Sequence, residues 1–359
     1  MLDKELTTEK KKLTIGLKTL ITIVTVLIVI AGMIGVMRLV GKGKLSKAVA
    51  GNDISVGDDT SEDLSDGQIM YDGKIYQLND DVITVLMMGI DSETVDEVGG
   101  QSWSTIEGSA YSGGQADTLF LAVINPHDKK VSFISINRNT MATVDVWDEN
   151  GDYKGTQILQ IALQHGYGYG DEESCEHQVK AVSRLLFDIP INSYAAISMD
   201  GIPKLNDAIG GVEVTVLDDI VYPEYNMNLH QGDVVTLKGE KAYWYLRLRN
   251  ENVFNSNETR LNRQKQYLKA FMSKAISEAT SDIKVATNLY NTISDYMVTD
   301  IDLTTFTYMA TEYLNYDFDL DNIYSLQGET VQGTKYEEFY MDEDAAEKMV
   351  VELFYEPVD

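Results

Sequence analysis

The run "VITVLMMGI", Val82 to Ile90, is of strand length and apolar on both alternating faces. Successive side chains of a strand point to opposite faces, so such a run has to be covered on both. It predicts a central strand sandwiched between two layers. Strands are expected next at Thr118 to Ile124 and Val131 to Ile136, joined by the Pro-containing turn "NPHDKK", after a Gly- and Ser-rich loop over Asp91 to Gly114.

Helical spacing then takes over. "ESCEHQVKAVSRLLF" places Val179, Val182, Leu185 and Leu186 on one face, and "DGIPKLNDAIGG" ends at Gly210 and Gly211, a stop signal. "VEVTVL" alternates as a strand does, and "LKGEKAYWYL" reads as a helix. "NETRLNRQKQYLKAFMSKAISEA" is a long helix with Asn257 as its expected cap and Leu261, Leu268, Phe271, Met272, Ala275 and Ile276 on its apolar face. Strands interleaved with helices predict an α/β fold, a mixed central β-sheet flanked by helices on both faces. The domain is expected over 76–328. Residues 329–359, with "NIYSLQGETV" just before and Ala346, Met349, Val350, Leu353 and Phe354 at helical spacing, read as a C-terminal helical extension packed on it.

The other organising feature is near the N-terminus, where Thr19 to Met37 runs nineteen residues without a charge, close to the ~20 a bilayer span needs. The expectation is a short cytoplasmic tail at 1–18, a transmembrane helix at 19–40 and an acidic Gly/Ser/Asp linker at 41–75. "AVAG" at Ala48 to Gly51 resembles a cleavage site, but the apolar run is longer than a signal core and four basic residues separate the two. A retained single-pass anchor follows. Basic residues nearly balance on its two sides, five before and four after, so they vote only weakly for the N-terminus inside.

Residues 1–50 hold nine of the 29 basic and three of the 57 acidic residues, leaving 20 against 54 beyond them, a net of −34. Such a surface repels nucleic acid, which is therefore not expected as a partner. It also makes any local cluster of arginines informative. The single cysteine, Cys175, excludes an internal disulfide, and its neighbour His177 is read as structural and not as half of a thiol–base pair.

An antiparallel hairpin over 118–136 puts Asp117 and Arg138 at one edge of the sheet. Asp91 reaches the same rim if its strand pairs antiparallel with the next one, and the opposite rim if the connection is a parallel crossover. Two carboxylates on one rim are a metal site or a loop-capping pair; Mg²⁺ is satisfied by one or two carboxylates plus phosphate oxygens. "YLRLRNENVFNSNETRLNRQKQ" adds Arg247, Arg249, Arg260, Arg263 and Gln264 within eighteen residues. In an extended "RLR" the first two arginines share a side, and in the following helix Arg260, Arg263 and Gln264 share a face in its first turns, where the dipole also favours an anion. The planar guanidinium grips phosphate in a fork. Surface ion pairing explains any one of these arginines; it explains their concentration poorly.

The blocks "VLMMGID", "QADTLFLAVINPHDKKVSFISINRNTM", "SRLLFDIPINSYAAISMDGIPKLNDAIGGVEV", "LKGEKAYWYLRLR" and "TRLNRQKQYLKA" resemble, in order and spacing, the LytR-CpsA-Psr family over roughly residues 80 to 275. The resemblance implies an extracytoplasmic phosphotransferase of a Gram-positive-type bacterium, moving an undecaprenyl-diphosphate-linked glycopolymer (teichoic acid, capsule or similar) onto peptidoglycan. It implies a diphosphate held by Arg138, Arg247, Arg249, Arg260, Gln264 and Gln115, with support from Arg263. Asp91, Asp117 and Arg138 would be catalytic, and Asp91 and Asp117 would carry Mg²⁺ (or Mn²⁺). The chain departs from the family pattern at Gln115, usually Arg; at Asn137, Asn139 and Asn257, where Pro, Asp and Asp are usual; at Thr259, usually Gly; and around Ile158 and Leu159, where a lysine is usual. Two other readings stand beside it: a prenyl-diphosphate phosphatase or pyrophosphatase, and a non-catalytic lipid-glycan-binding envelope regulator. A surface adhesion module fits the acidic composition but leaves the arginines unexplained.

Overall fold

The computed structural model describes residues 64–358 apart from 66, 92–113, 149, 169–171 and 251. The expected tail, transmembrane helix and most of the linker, and nearly all of the loop after Asp91, lie outside the described residues. Among the described residues no helix is long and apolar enough to cross a membrane.

The chain runs through a hairpin of β1 (Gln68–Tyr71) and β2 (Lys74–Leu78), then β3 (Ile83–Ile90), β4 (Ala116–Asn125) and β5 (Lys130–Ile136), and a second hairpin of β6 (Met141–Trp147) and β7 (Tyr153–Gln160). Next come α1 (Glu172–Leu185), β8 (Ser193–Ser198), α2 (Ile202–Ala208), β9 (Val212–Thr215), β10 (Ile220–Tyr222), β11 (Met227–Leu229) and β12 (Val234–Leu237). The helices α3 (Glu240–Arg247), α4 (Ser256–Ser281) and α5 (Lys284–Ile293) precede β13 (Met297–Thr299), α6 (Leu303–Tyr313), β14 (Asp317–Phe318) and β15 (Tyr324–Ser325). The chain closes with β16 (Gly328–Gln332), β17 (Glu337–Met341), α7 (Glu343–Phe354) and β18 (Tyr355–Pro357).

The central sheet has seven strands in the order β13-β8-β3-β4-β5-β14, with β15 also on β5. The strand β3 pairs antiparallel with β4 and parallel with β8, and β4 pairs antiparallel with β5, so the sheet is mixed. The alternation of β3 is used on both faces, as its sequence predicts. Leu86 and Met88 join a core with Val182 of α1 and with Val350 and Phe354 of α7. Val85 joins a second core, with Ala122, Phe133 and Tyr308 and Tyr313 of α6. Each such fully buried side chain contributes about 1.5–3 kcal/mol. A third core packs β9 to β12 against α3 and α4.

Residues 329–359 carry more than a helix. The hairpin β16–β17 precedes α7, and β18 pairs antiparallel with β2, tying the end of the chain to the start of the described fold.

One buried polar clasp fixes the parallel pair at the centre. Asn192 Oδ1 accepts from the Thr84 amide at 2.7 Å and from its hydroxyl at 3.0 Å, and the Asn192 amide donates back to Thr84 Oγ1 at 3.0 Å. Asn192→Ala leaves the buried Thr84 amide without its acceptor, while the Thr84 hydroxyl keeps the Pro190 carbonyl, and is expected to lower unfolding free energy by about 1–3 kcal/mol in a urea titration. A loss under half a kcal/mol would show that the clasp does not hold β3 to β8.

Candidate active site

The sheet register decides where the acids lie. Pairing of β3 with β4 runs from Ile83 opposite Ile124 to Ile90 opposite Ala116, with an irregularity after Gly89. At its end the Gln115 carbonyl accepts from both the Asp91 amide, at 3.0 Å, and the Asp117 amide, at 3.1 Å. One backbone oxygen thus sets both acids on one rim, resolving the choice between antiparallel pairing and crossover. Gly114, in the left-handed region at φ 72°, is needed there, because a Cβ would collide with the Asp91 carbonyl oxygen. The pairing of β4 with β5 places Leu119 opposite Ile136, so Arg138 emerges beside Asp117.

Arg138 Nη1 lies 2.9 Å from Asp117 Oδ1, and its Nη2 donates to Gln115 Oε1. Arg260 Nη1 lies 3.4 Å from Asp117 Oδ2. Arg247 Nη2 lies 3.1 Å from Asp91 Oδ2. Burial pushes the Asp117 carboxyl up, but the charges of Arg138, Arg260, Arg247 and Arg249 outweigh it and hold the group below the ordinary aspartate value of 3.8. Burial, and behind it Arg138, Arg249 and Arg263, holds Arg260 down at about 9 against the opposing pull of Asp117, so it stays charged at neutral pH. Among the described residues the buried Arg138 Nε has no hydrogen-bond partner.

Arg260 is aimed by amides. Its Nη2 donates to Asn257 Oδ1 at 2.7 Å, Asn257 Nδ2 donates to Asn137 Oδ1 at 2.8 Å, and the Asn139 amide donates to the same oxygen at 3.0 Å. Asn257 is therefore not the helix cap that the sequence predicts. The cap is Asn255, two residues earlier and in the left-handed region, and Asn257, inside the helix, turns inward to the rim.

One further expectation needs correcting. Arg247 is the last residue of α3, and Leu248 after it is extended, so the "RLR" is not a strand. Arg247 still reaches the rim because Tyr243, one turn back, accepts from its Nη1 and lies under its guanidinium, 5.5 Å from ring centre to Cζ. The i, i+4 spacing of the two residues carried that signal. Arg263 belongs to the core: its side chain is 1% exposed, its Nη1 donates to the Tyr245 carbonyl at 2.6 Å, its Nη2 to that of Leu248, and its Nε faces Asp218 at 3.2 Å. It braces the turn that carries Arg249. Gln264 is buried and donates to the Leu246 carbonyl at 3.4 Å, bracing the same turn.

Glu337 of β17 also reaches this region, 4.0 Å from Arg249. Nothing local in the sequence marks it, since a hairpin more than eighty residues further on delivers it.

Among the described residues no group of three or more His, Cys, Asp or Glu could hold a metal. The rim offers two carboxylates, each already facing an arginine. That donor set suits a hard cation shared with phosphate oxygens of a ligand and not one caged by protein alone.

A mixed-sheet α/β domain with a carboxylate pair set under converging guanidiniums is built as an anion-handling protein. The chain belongs to the LytR_cpsA_psr family, whose family model matches residues 45–354. It is similar to a polyisoprenyl-teichoic acid–peptidoglycan teichoic acid transferase TagU of Enterococcus faecalis, 27% identical over 235 residues, which cover 66% of this chain and 67% of that protein. The match to a TagU of Halalkalibacterium halodurans, also 27% identical, covers 53% of this chain and 56% of that protein. Biofilm regulatory protein A of Streptococcus mutans is 24% identical over 333 residues, 90% of this chain and 73% of that protein. Among solved structures, TagV of B. subtilis has a TM-score of 0.57 at 23% identity, covering 76% of this chain and 96% of that one. TagT bound to LI-WTA has a TM-score of 0.55 at 20% identity, covering 84% and 95%. These structures share the fold.

Because the folded-state value of Asp117 lies below 3.8, its contribution to stability is complete above that pH and is lost as pH falls through the folded value. The stability difference between the wild type and Asp117→Asn in urea is expected to be clearly smaller at pH 3 than at pH 7. Equal differences at both would place Asp117 outside the arginine field.

Proposed function

We propose that this chain is a membrane-anchored, extracytoplasmic glycopolymer transferase, taking its glycan from an undecaprenyl-diphosphate-linked donor and placing it on a peptidoglycan hydroxyl. The observation that carries the reading is the convergence of four arginines from three chain segments on one buried acid, Asp117. In a chain whose residues beyond 50 carry a net of −34, that convergence selects a ligand with closely spaced negative charges. Membership of the family and relatives named as teichoic acid transferases support the choice of a lipid diphosphate over other anions.

In this reading Arg138, Arg247, Arg249 and Arg260 cradle the diphosphate, Gln115 steadies Arg138, and Arg263 and Gln264 hold the turn beneath. Asp117, kept ionised by its arginines, is a poor proton acceptor and serves to orient Arg138 and Arg260. Asp91, more exposed and faced at its carboxylate by Arg247, takes the proton of the acceptor hydroxyl. The hydroxyl oxygen forms a bond to the phosphorus that bears the glycan. The bridging P–O bond breaks, and its electron pair leaves with the polyprenyl phosphate. Catalysis is then mostly positioning and charge stabilisation. Asp91 and Asp117 would hold Mg²⁺ (or Mn²⁺) jointly with the donor, and such an ion supplies further neutralisation of phosphate oxygens.

Arg247→Ala combined with Arg249→Ala is expected to abolish transfer of a lipid-linked glycan to peptidoglycan, by at least about a hundredfold, with the melting temperature little changed. Retained transfer in that double variant would remove the arginines from the mechanism. Release of phosphate that is equally fast without an acceptor would make water the acceptor and the chain a phosphatase.

A further inference from the structure

The C-terminal hairpin delivers to the arginine cluster a carboxylate that this mechanism does not use. Glu337 opens β17 with its side chain 11% exposed. Its Oε1 accepts from the Asn255 amide, at 2.5 Å, at the turn into α4. Its Oε2 is buried, has no hydrogen-bond partner among the described residues, and faces Arg249 Nη1 at 4.0 Å.

The backbone around Glu337 is pinned to the rim. Its carbonyl accepts from Gln160 Nε2 at 2.7 Å, and the Phe339 amide donates to the Asn139 carbonyl, next to Arg138, at 2.9 Å. Gln160 Nε2 also lies 3.3 Å from Asn139 Oδ1. Glu337 is thus where three segments meet: the Arg138 rim, the turn carrying Arg249, and the C-terminal hairpin.

A buried carboxylate oxygen without a donor is costly unless a charge stands nearby. Here that charge is Arg249, within ion-pair distance but beyond a hydrogen bond. Such a pair restrains the guanidinium and is readily surrendered to a phosphate, which offers it a closer, bidentate contact. We propose that Glu337 is a positioning residue of the donor site: it holds Arg249 in the cleft while no donor is bound and competes with the diphosphate for it, so that its charge sets donor affinity. This inference rests on reading the cleft as a diphosphate site. Other charged groups around Arg249 among the described residues include Asp117, Arg138, Arg247 and Arg260, and the Arg263–Asp218 pair.

The test measures binding of farnesyl diphosphate, a soluble probe, to the full chain by calorimetry, together with melting temperature. Glu337→Gln keeps a carbonyl for the Asn255 amide and loses the charge. It is expected to bind the probe about three- to tenfold more tightly than the wild type, and in an Arg249→Ala background the same change should gain less than about twofold. Unchanged or weaker binding by Glu337→Gln overturns the proposal, as does an equal gain without Arg249, which would make the effect one of overall charge. Should Glu337→Gln melt more than about 5 °C lower, Glu337→Asp, which draws the carboxylate back from Arg249, is read instead, with the same sign and the same dependence on Arg249 expected. A wild-type chain that binds no farnesyl diphosphate overturns the diphosphate reading and this inference with it, a result distinct from a wild type that binds and a variant that does not respond.

Discussion

Asp117 is a buried carboxylate surrounded by guanidiniums, and the site around it is organised by that contact. Taking each of these ions out of water costs several kcal/mol, recovered only where geometry is tight and the remaining hydrogen-bonding capacity is used. Asp117 spends one oxygen on Arg138 and the other on Arg260, and Arg260 spends a second arm on Asn257. An ion cluster serving stability alone would balance its charges and fill its donors. Among the described residues this one leaves the buried Arg138 Nε without a hydrogen-bond partner.

The cluster can be placed this accurately because the sheet beneath it has no freedom of register. The strand β3 is buried on both faces, in two different cores, so sliding it by one residue would exchange Leu86 and Met88 with Val85 and Met87 across the sheet. The rim inherits that rigidity. Asp91 and Asp117 hang from one carbonyl at the end of the β3–β4 ladder, and Arg138 from the end of β5. The arginines that come from helices are braced separately, Arg247 on Tyr243 and the Arg249 turn on Arg263.

What was legible in the sequence follows from which interactions are local. The period of β3 and the short turn after Asn125 carry the sheet centre, and from them the meeting of Asp117 with Arg138. The rim position of Asp91 needed only the sign of one pairing. The path through Arg247 was misread because helix α3 keeps its hydrogen bonds to the last possible residue, a choice that "YLRLR" does not announce. Arg263 was legible as a support on the helix, but the carbonyls it holds were not, since they belong to another element. Asn257 looks like a cap because Asn caps well, yet Asn255 takes the left-handed position and frees it to turn inward. Glu337 was out of reach altogether: a hairpin docked edge-on to residues 139 and 140 brings it in.

The asparagines at 137 and 257 show how the departures from the family pattern fit together. An asparagine oxygen accepts from a guanidinium or an amide with nearly the direction of a carboxylate oxygen, but it adds no charge. Asn257 therefore aims Arg260 without cancelling it, and Asn137 aims Asn257. Aspartates at 139 and 257, with everything else kept, would add two negative charges beside Asp117 and Arg260. Gln115 stands where the family usually adds an arginine, so the chain that lacks that positive charge also lacks the acids it would have to offset. Loss of charge on both sides leaves fewer buried ions to desolvate, and Arg260 is held between the neutral Asn257 oxygen and the Asp117 carboxylate.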